Sequence, residues 1–410
     1  MKQVFFVLIL GAILLPAMYH AQEIKLSGEM WSRWTMDNAM YKNAAGTYEK
    51  KLAKNYLSLE RGYFGLETKF SESTKARFTI DLFSSDATHE WPNSYSDATQ
   101  PIDSVTVYTQ SSIDGAGLKL KYAYVDFANL IPIPEQTLSV GLQKVYFGTI
   151  YDWNYTLIGK APTDEYKVAN SADYGVTVNG YIPAGYGEYA LGVYNGEGYK
   201  KVGKSLKDNT AMAYLANLRL TPIPGVTIGG SYMANTVERD EKLSGNSLNK
   251  KYEEQILIDG LARLAYGPAD LWVEYIIKDV KLPNDKYFSE GDKDYSSKGL
   301  MIMPIISLAE FLPVDVQLIG RYDMWDDSDK PLKSGTSILH PEMKLNTVTL
   351  GANYNLFPDA SEVPQMQIQI NYTDKKYSAD KTYYADYSKG YKDSSQIMMQ
   401  LKWRFAGIIK

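Results

Sequence analysis

Basic side chains recur at alternate positions within apolar, strand-like stretches of this 410-residue chain. In an extended strand, successive side chains point to opposite faces, so the basic residues share one face and the apolar residues the other. The basic positions on the polar faces are Arg33, Arg77, Lys119, Lys121, Arg219, Arg263, Lys278, Arg321, Lys344, Lys402 and Arg404. Arginine and lysine on the wall of a water-filled space attract anions when the wall has a low dielectric constant. We therefore interpret these residues as candidates for the lining of an anion-attracting pore.

Acidic residues on the same faces offer a second interpretation of these cations. They occupy fewer of the polar positions, namely Glu29, Asp81, Glu188, Asp259, Glu274, Asp315 and Asp323. The basic side chains could pair with these carboxylates and keep the interior wet without any preference for anions. Because the whole chain has a formal charge of −5, the excess of acidic residues must lie largely in the connections between strands.

Residues typical of catalytic and metal sites are scarce. The chain has no cysteine, which excludes disulfides, thiolate metal sites and a cysteine nucleophile. After residue 21 the only histidines are His89 and His340, both in predicted connections, so a histidine-based zinc site is not expected. The sequence has no G-x-S-x-G, P-loop or dinucleotide-binding motif. Clustered aspartates at 323–329 lack the spacing of a calcium-binding loop, so solvated charge is the simpler interpretation. We predict no enzyme, cofactor or metal site.

Strict alternation of apolar and polar residues is clearest near the C-terminus. Ile397, Met399, Leu401, Trp403 and Phe405 share one parity, and polar residues fill most of the other. About sixteen segments read as strands in this way, with almost no helical periodicity. The predicted strands are 23–35, 56–69, 74–83, 117–127, 137–147, 171–182, 188–197, 211–221, 226–236, 254–266, 270–280, 298–308, 314–325, 344–356, 365–375 and 394–405.

The connections between these segments alternate between two kinds. Those after even-numbered segments are short and rich in proline and glycine, whereas those after odd-numbered segments are long and polar. Membrane barrels have tight periplasmic turns on one rim and long loops on the other. Because hydrocarbon offers no water to unpaired backbone groups, strands cross it only as a closed ring. The sequence therefore predicts an all-β fold, a sixteen-stranded antiparallel up-and-down transmembrane β-barrel that forms one domain over residues 22–410.

The first residues resemble an export signal. A charged start precedes the apolar stretch Val4–Leu15, and Ala21 suits the end of a cleavage site. We predict that residues 1–21 are a signal peptide. The alternative is a short buried helix or an uncleaved anchor.

Several strands resemble those of the phosphate-selective porin O and P family of outer-membrane channels. The resemblance is carried by Leu120–Phe127, Val140–Lys144, Thr349–Tyr354 and Leu401–Phe405. It implies a sixteen-stranded barrel, often trimeric, through which small anionic or neutral solutes diffuse. The arginine ladder and lysine cluster of true phosphate selectivity are not evident, and residues 406–410 follow the aromatic residue that usually ends such barrels. The resemblance therefore implies porin architecture without phosphate specificity.

The long connection after the fifth predicted strand is aromatic and charged. In large porins a loop at this position folds inward and narrows the pore, as the resemblance suggests. The candidate residues for such a constriction are Lys144, Tyr151, Asp152, Trp153, Tyr155, Lys160, Asp164, Glu165 and Lys167. Its three aromatic rings could then stack on sugar rings. Alternatively, they belong to an outer aromatic girdle or to a longer strand.

The function predicted from these features is that of an outer-membrane porin of a double-membraned bacterium. It would pass small hydrophilic solutes by passive diffusion, with a weak preference for anions. The expected partners are outer-membrane lipid, small anionic or neutral solutes, two further copies in a homotrimer, and the barrel-assembly machinery through a C-terminal strand ending at Phe405. No nucleic acid is expected. The alternative is a non-conducting receptor or adhesin barrel whose long loops bind a partner.

Overall fold

The computed structural model of the chain describes most of the barrel wall and one complete long connection. The signal-peptide prediction lies outside the described residues. These residues are 23–42, 48–84, 112–113, 116–130, 133, 135–199, 211–242, 248–281, 294–329, 332–334, 337–340, 344–358, 364–378 and 393–409.

Sixteen long strands form the wall of the barrel. In chain order they are β1 Glu23–Lys42, β2 Tyr48–Lys69, β3 Thr74–Ser84, β4 Ala116–Ala128, β5 Gln136–Lys144, β6 Ala172–Ile182, β7 Gly187–Tyr194, β8 Ala213–Ile223, β9 Val226–Lys242, β10 Leu248–Tyr266, β11 Ala269–Lys281, β12 Tyr295–Ser307, β13 Val316–Asp326, β14 Lys344–Pro358, β15 Pro364–Ser378 and β16 Ser394–Ile409. The segment Ser112–Ile113 pairs with β4, and Leu332–Ser334 forms a small hairpin with Ser337–His340. A short helix, α1, spans Pro162–Glu165, and a 3-10 turn spans Pro183–Gly185.

Every wall strand pairs antiparallel with its neighbours in the chain, and the last strand closes on the first. Sixteen register pairs join β1 to β16, from Ile24 opposite Ile409 to Ala39 opposite Ser394. A closed ring leaves no edge strand with unpaired backbone groups. The predicted sixteen-stranded antiparallel barrel is therefore confirmed.

The last strand is longer than the sequence predicts. The prediction that it ends at Phe405 is wrong, because Gly407 and Ile408 continue the ladder opposite Leu26 and Lys25 of β1. No proline interrupts residues 406–409, and the first residues of β1 supply their backbone partners. The C-terminal residues therefore complete the barrel wall.

The two faces of β16 differ in exposure. The side chains of Met399 and Leu401 are 46% and 38% exposed, whereas Gln400 and Lys402 are 1% and 4% exposed. A water-soluble sheet would bury the apolar residues instead. The apolar face points outward, where lipid surrounds a membrane barrel, and the polar face points into the lumen. No helix among the described residues is long and apolar enough to cross a membrane.

Tight turns join the strands at one rim, which we call the short-turn rim. One turn connects β8 to β9 through Gly225, whose φ is +83°. A Cβ at this position would lie 2.2 Å from the carbonyl oxygen of Ala265, so only glycine fits. The proline- and glycine-rich segments of the sequence thus mark the rim where the ladders stop.

A β-bulge in β4 changes which side chains reach the lumen. Thr79 pairs with Tyr122 and Ile80 pairs with Leu120, so the register between β3 and β4 skips Lys121. Lys121 and Tyr122 consequently line the same internal cavity although they are adjacent in the sequence. Simple alternation across 117–127 does not predict this arrangement.

Some inward positions are apolar, in contrast to the polar lumen expected of a porin. Met301, Met303 and Ile305 of β12 are 0%, 2% and 8% exposed. They form a cluster with Ile319 of β13 and with Leu157, which lies in the connection between β5 and β6. The lumen contains a second, internal layer of chain, and this layer covers the apolar part of the wall.

Candidate functional site: the pore constriction

Residues 145–171, which we call the constriction loop, cross the lumen of the barrel. Side chains of the barrel wall donate hydrogen bonds to backbone carbonyl oxygens spread along this loop. The pairs are Arg219 with Gly148 (2.5 Å), Lys402 with Asn154 (3.0 Å), Gln369 with Tyr155 (2.9 Å), Asn371 with Ile158 (3.2 Å) and Arg321 with Lys160 (2.7 Å). The loop therefore folds inward, and the alternative that its aromatic residues form an outer girdle or a longer strand is wrong.

The beginning of the loop is fixed to a pair of buried carboxyl groups. The backbone N–H of Thr149 donates to Glu274 over 3.0 Å, and the Thr149 hydroxyl donates to the same carboxyl over 2.7 Å. Asp259 lies beside Glu274, and both side chains are almost fully buried. Gly148, with φ +51°, approaches so closely that a Cβ would lie 2.4 Å from Oε1 of Glu274. These contacts position the turn at which the chain leaves the wall.

Apolar packing holds the rest of the loop against one side of the wall. Val145, Phe147 and Val168 of the loop form a buried cluster with inward residues of β8–β11, β13 and β14, including Leu257 and Ile276. Burial of such side chains contributes roughly 1.5–3 kcal/mol each. The constriction loop is therefore a packed element, and the open part of the lumen lies beside it.

The helix α1 is fixed to β15 by an ion pair. Glu165 lies 3.2 Å from Lys375, and the next residue, Tyr166, stacks on Trp325 with ring centroids 4.7 Å apart. Burial alone would raise the pKa of Glu165. The positive charges of Lys375 and Arg321 outweigh burial and hold this pKa below its ordinary value of 4.5. Glu165 is therefore ionised at neutral pH.

The three aromatic residues predicted to stack on sugars each carry a guanidinium over one ring face. The partners and centroid distances are Arg219 over Tyr151 (4.5 Å), Arg321 over Trp153 (5.3 Å) and Arg61 over Tyr155 (4.9 Å). Such cation–π contacts attach the loop to the wall. Because these ring faces are occupied, the contacts lend no support to sugar stacking.

Most of the predicted lining cations on the barrel wall have a carboxylate partner. The ion pairs are Arg33 with Glu60 (2.9 Å), Arg219 with Asp152 (2.5 Å), Arg263 with Asp270 (2.8 Å), Arg321 with Asp323 (2.7 Å) and Arg404 with Glu29 (2.9 Å). Lys402 lies 3.9 Å from Glu29. For these residues the interpretation as paired interior charges describes the geometry.

One predicted lining residue lies on the wrong face. Lys344 begins β14 with the parity of Val348 and Leu350, which are 45% and 59% exposed on the outer surface. Its ammonium lies 3.6 Å from Asp326 of the neighbouring strand. The prediction that Lys344 lines the pore is therefore wrong. Lys278, in contrast, shares the inward parity of the buried Ile276.

Two large cavities lie beside the constriction loop, one on each side of it along the barrel axis. The inner cavity, toward the short-turn rim, has a volume of about 840 Å³, and its lining includes Arg61, Arg77, Lys121, Lys144 and Ser171. The outer cavity has a volume of about 660 Å³, and its lining includes Arg61, Asp81, Lys119, Lys160, Asp164 and Ser171. Arg61 and Ser171 line both cavities, so the cavities adjoin at these residues. Lys167 is exposed and lines neither cavity.

Arg61 was not among the predicted lining residues. Its guanidinium lies over the rings of Trp31 and Tyr63, at 4.7 and 4.9 Å from their centroids. A bulge in β2 leaves Glu60 outside the ladder, because Trp31 pairs with Arg61 while Ser32 pairs with Leu59. The shared parity of Arg61 and Tyr63, which alternate with Gly62, was the available signal in the sequence.

Comparisons with known proteins give structural but not sequence matches. No family model and no curated protein matches the chain. An anion-selective porin from Comamonas acidovorans superposes with a TM-score of 0.54 at 12% identity, over 93% of this chain and 99% of that chain. The chain has a porin fold. OmpT of Vibrio cholerae in its trimer form gives a TM-score of 0.54 at 9% identity, over 93% of this chain and 99% of that chain.

OmpF of Salmonella typhi, in a complex with daunomycin, is similar to the same extent. Its TM-score is 0.54 at 12% identity, over 93% of this chain and 97% of that chain. At such low identities the likeness extends to the fold alone. None of these structures singles out the phosphate-selective porin family, so that finer resemblance stays a prediction.

Proposed function

We propose that the chain forms a water-filled channel in the outer membrane of a double-membraned bacterium. Small hydrophilic solutes diffuse through it, and anions pass more readily than cations. The proposal rests on the porin fold, on the two cavities that meet at Arg61, and on the distribution of charge around them.

One observation carries the preference for anions. Arg61, Arg77 and Lys144 line the inner cavity, and none of them has a carboxylate within ion-pair distance among the described residues. Arg219 and Arg321, which are paired with carboxylates, lie where the constriction loop packs on the wall. Unpaired positive charge in a passage with low-dielectric walls attracts anions and repels cations.

The alternative is a receptor or adhesin barrel with a blocked lumen. Continuous packing across the lumen would favour that function. Instead, the outer and inner cavities share Arg61 and Ser171 as common lining residues. The channel is therefore the better-supported function.

Reversal potentials in a potassium chloride gradient test the proposal. Refolded protein in a planar bilayer should conduct, and the sign of its reversal potential should report a chloride preference. Selectivity for potassium would contradict the anion preference. Failure both to conduct and to admit sugars into liposomes would support the receptor alternative instead.

The expected partners belong to the same proposal. One of the similar structures is described as a trimer form, which supports a homotrimer here. Outer-membrane lipid would cover the outward apolar face, and the barrel-assembly machinery would engage the C-terminal strand. That strand includes Gly407 and Ile408, so truncation after Phe405 should slow assembly.

A further inference from the structure

We propose that Arg77 and Lys144 form a subsite for small dicarboxylates in the inner cavity, on the short-turn side of the constriction loop. This inference rests on the proposed channel function and assigns a solute class to it. Both side chains line the same cavity and influence each other electrostatically. Two positive groups in one pocket repel, and a doubly negative solute relieves that repulsion.

Arg77 is oriented by neutral partners. Its guanidinium lies 5.0 Å from the centroid of the Tyr122 ring, its Nε donates to the hydroxyl of Thr79 over 3.3 Å, and Tyr124 lies opposite it in the ladder. None of these partners neutralises its charge. A planar guanidinium held in this way retains donors suited to a carboxylate.

Lys144 ends β5 at the point where the constriction loop begins. Among the described residues its ammonium has neither a hydrogen-bond acceptor nor an ion-pair partner. The chain therefore positions a half-buried positive charge at the cavity without a partner for it. A solute carboxylate would supply the missing partner.

Most of the nearby acidic residues have other partners, and Glu67, which lies opposite Arg77 in the ladder and lines the same cavity, makes no ion pair among the described residues. Asp126 accepts a hydrogen bond from Ser139 over 2.6 Å, and Asp152 and Glu188 both lie within ion-pair distance of Arg219. They contribute a favourable field at Lys144 without pairing with it. Within the described part of the chain, the lining of the inner cavity carries six basic side chains and two carboxylates, Glu29 and Glu67, so the two cations remain available to a solute.

The separation of the two anchoring positions favours a solute with two carboxylates over a compact anion. Arg77 lies opposite Tyr124, which lies opposite Gly141, so Lys144 is two strands away and three residues farther along its strand. At 4.7–4.9 Å between strands and about 3.4 Å per residue, the two displacements are each roughly 10 Å. Both long side chains reach the same cavity from these separated positions, so a dicarboxylate can contact both at once.

Block of the chloride current in planar bilayers tests the subsite. Succinate, butyrate and inorganic phosphate should each be added from the short-turn side to the wild-type channel, Arg77→Gln, Lys144→Gln and Arg263→Gln. Arg263→Gln removes an inward cation that pairs with Asp270 and lies outside the inner-cavity lining, so it controls for the loss of one charge. A second charge-assisted contact worth about 1.4 kcal/mol corresponds to a factor of ten, so succinate should block at an at least tenfold lower concentration than butyrate.

In Arg77→Gln and Lys144→Gln this difference should shrink by about tenfold, whereas Arg263→Gln should retain it. Equal block by succinate and butyrate, or equal block by phosphate and succinate, would overturn the dicarboxylate subsite. Either result leaves an anion-preferring channel intact. Loss of chloride preference in the wild type would instead contradict the proposed function.

Discussion

The hydroxyl of Tyr155 in the constriction loop accepts a 2.7 Å hydrogen bond from the guanidinium of Arg61 on the barrel wall. The same guanidinium lies over the Tyr155 ring, and Trp31 meets this ring edge-on at 4.6 Å between centroids. These contacts link the tip of the loop to the part of the wall that faces the passage. Arg61 therefore has two functions, since it positions the loop and presents positive charge where the cavities meet.

Separating these two functions of Arg61 gives the first prediction. Arg61→Gln should lower the chloride-to-potassium permeability ratio, because it removes an unpaired charge from the passage. Tyr155→Phe removes the hydrogen bond but keeps the charge, so it should preserve the ratio and increase current noise. Reversal potentials and open-channel noise in bilayers measure both effects. Equal permeability ratios in Arg61→Gln and the wild type would show that Arg61 does not determine selectivity.

Gly148 carries a second prediction. Gly148→Ala should displace the start of the constriction loop, because the new Cβ would lie 2.4 Å from the Glu274 carboxyl and φ is +51°. We expect conductance to become larger and more variable between channels. Gly159→Ala is a matched control in the same loop, since the nearest heavy atom to its Cβ would be 3.8 Å away in Arg321. Unchanged conductance in Gly148→Ala would show that this turn does not set the position of the loop.

Much of the wall was predictable, because lipid-facing positions must be apolar and therefore alternate with lumen-facing ones. Met399 and Leu401 illustrate this rule. The rule fails where a bulge shifts the parity, as it does at Lys121. The inward course of the constriction loop could not be derived from its own residues. The available signal lay elsewhere, in the inward apolar side chains Met301 and Met303, which require something inside the barrel to cover them.

Acidification should release α1 from the wall. The pKa of Glu165 is lowered in the folded protein, so its ion pair with Lys375 stabilises the docked helix above the unfolded pKa and is lost as pH falls through the folded pKa. The change should occur below Glu165's ordinary pKa of 4.5. Single-channel recordings should show gating fluctuations that appear in this acidic range.

Glu165→Gln provides the comparison for the acid effect. This variant lacks the ion pair at every pH, so its fluctuations should already be present at neutral pH and should change little on acidification. Identical acid responses in the wild type and Glu165→Gln would assign the transition to another group.

Removal of the loop should have opposite effects on conductance and stability. Deleting residues 151–167 should enlarge the pore and raise conductance, because this segment crosses the lumen. The deletion also removes Leu157, which packs against Met301, Met303 and Ile305, so the midpoint of thermal unfolding should fall. Bilayer recording and heat-dependent gel mobility measure the two quantities. Conductance equal to that of the wild type would place the segment outside the conducting path.

The orientation of the wall gives the last prediction. Ile370 of β15 is 49% exposed on the outward face and lies mid-strand, opposite Met399 and Ala352. Ile370→Lys would place a cation in hydrocarbon, which costs roughly 2–4 kcal/mol at the bilayer midplane and 0–1 kcal/mol near the interface. The free energy of unfolding in lipid vesicles should fall by about that larger amount.

Ile306→Lys is the matched control because it makes the same substitution on the same face at a different depth. Ile306 is 46% exposed and lies opposite Ala269, close to the short-turn rim, so the new ammonium can reach water and the loss of stability should be small. The difference between the two variants therefore measures the cost of depth in the membrane. Equal losses of stability in the two variants would mean that Ile370 does not face hydrocarbon. The conclusion that the apolar face of each strand contacts lipid would then be wrong.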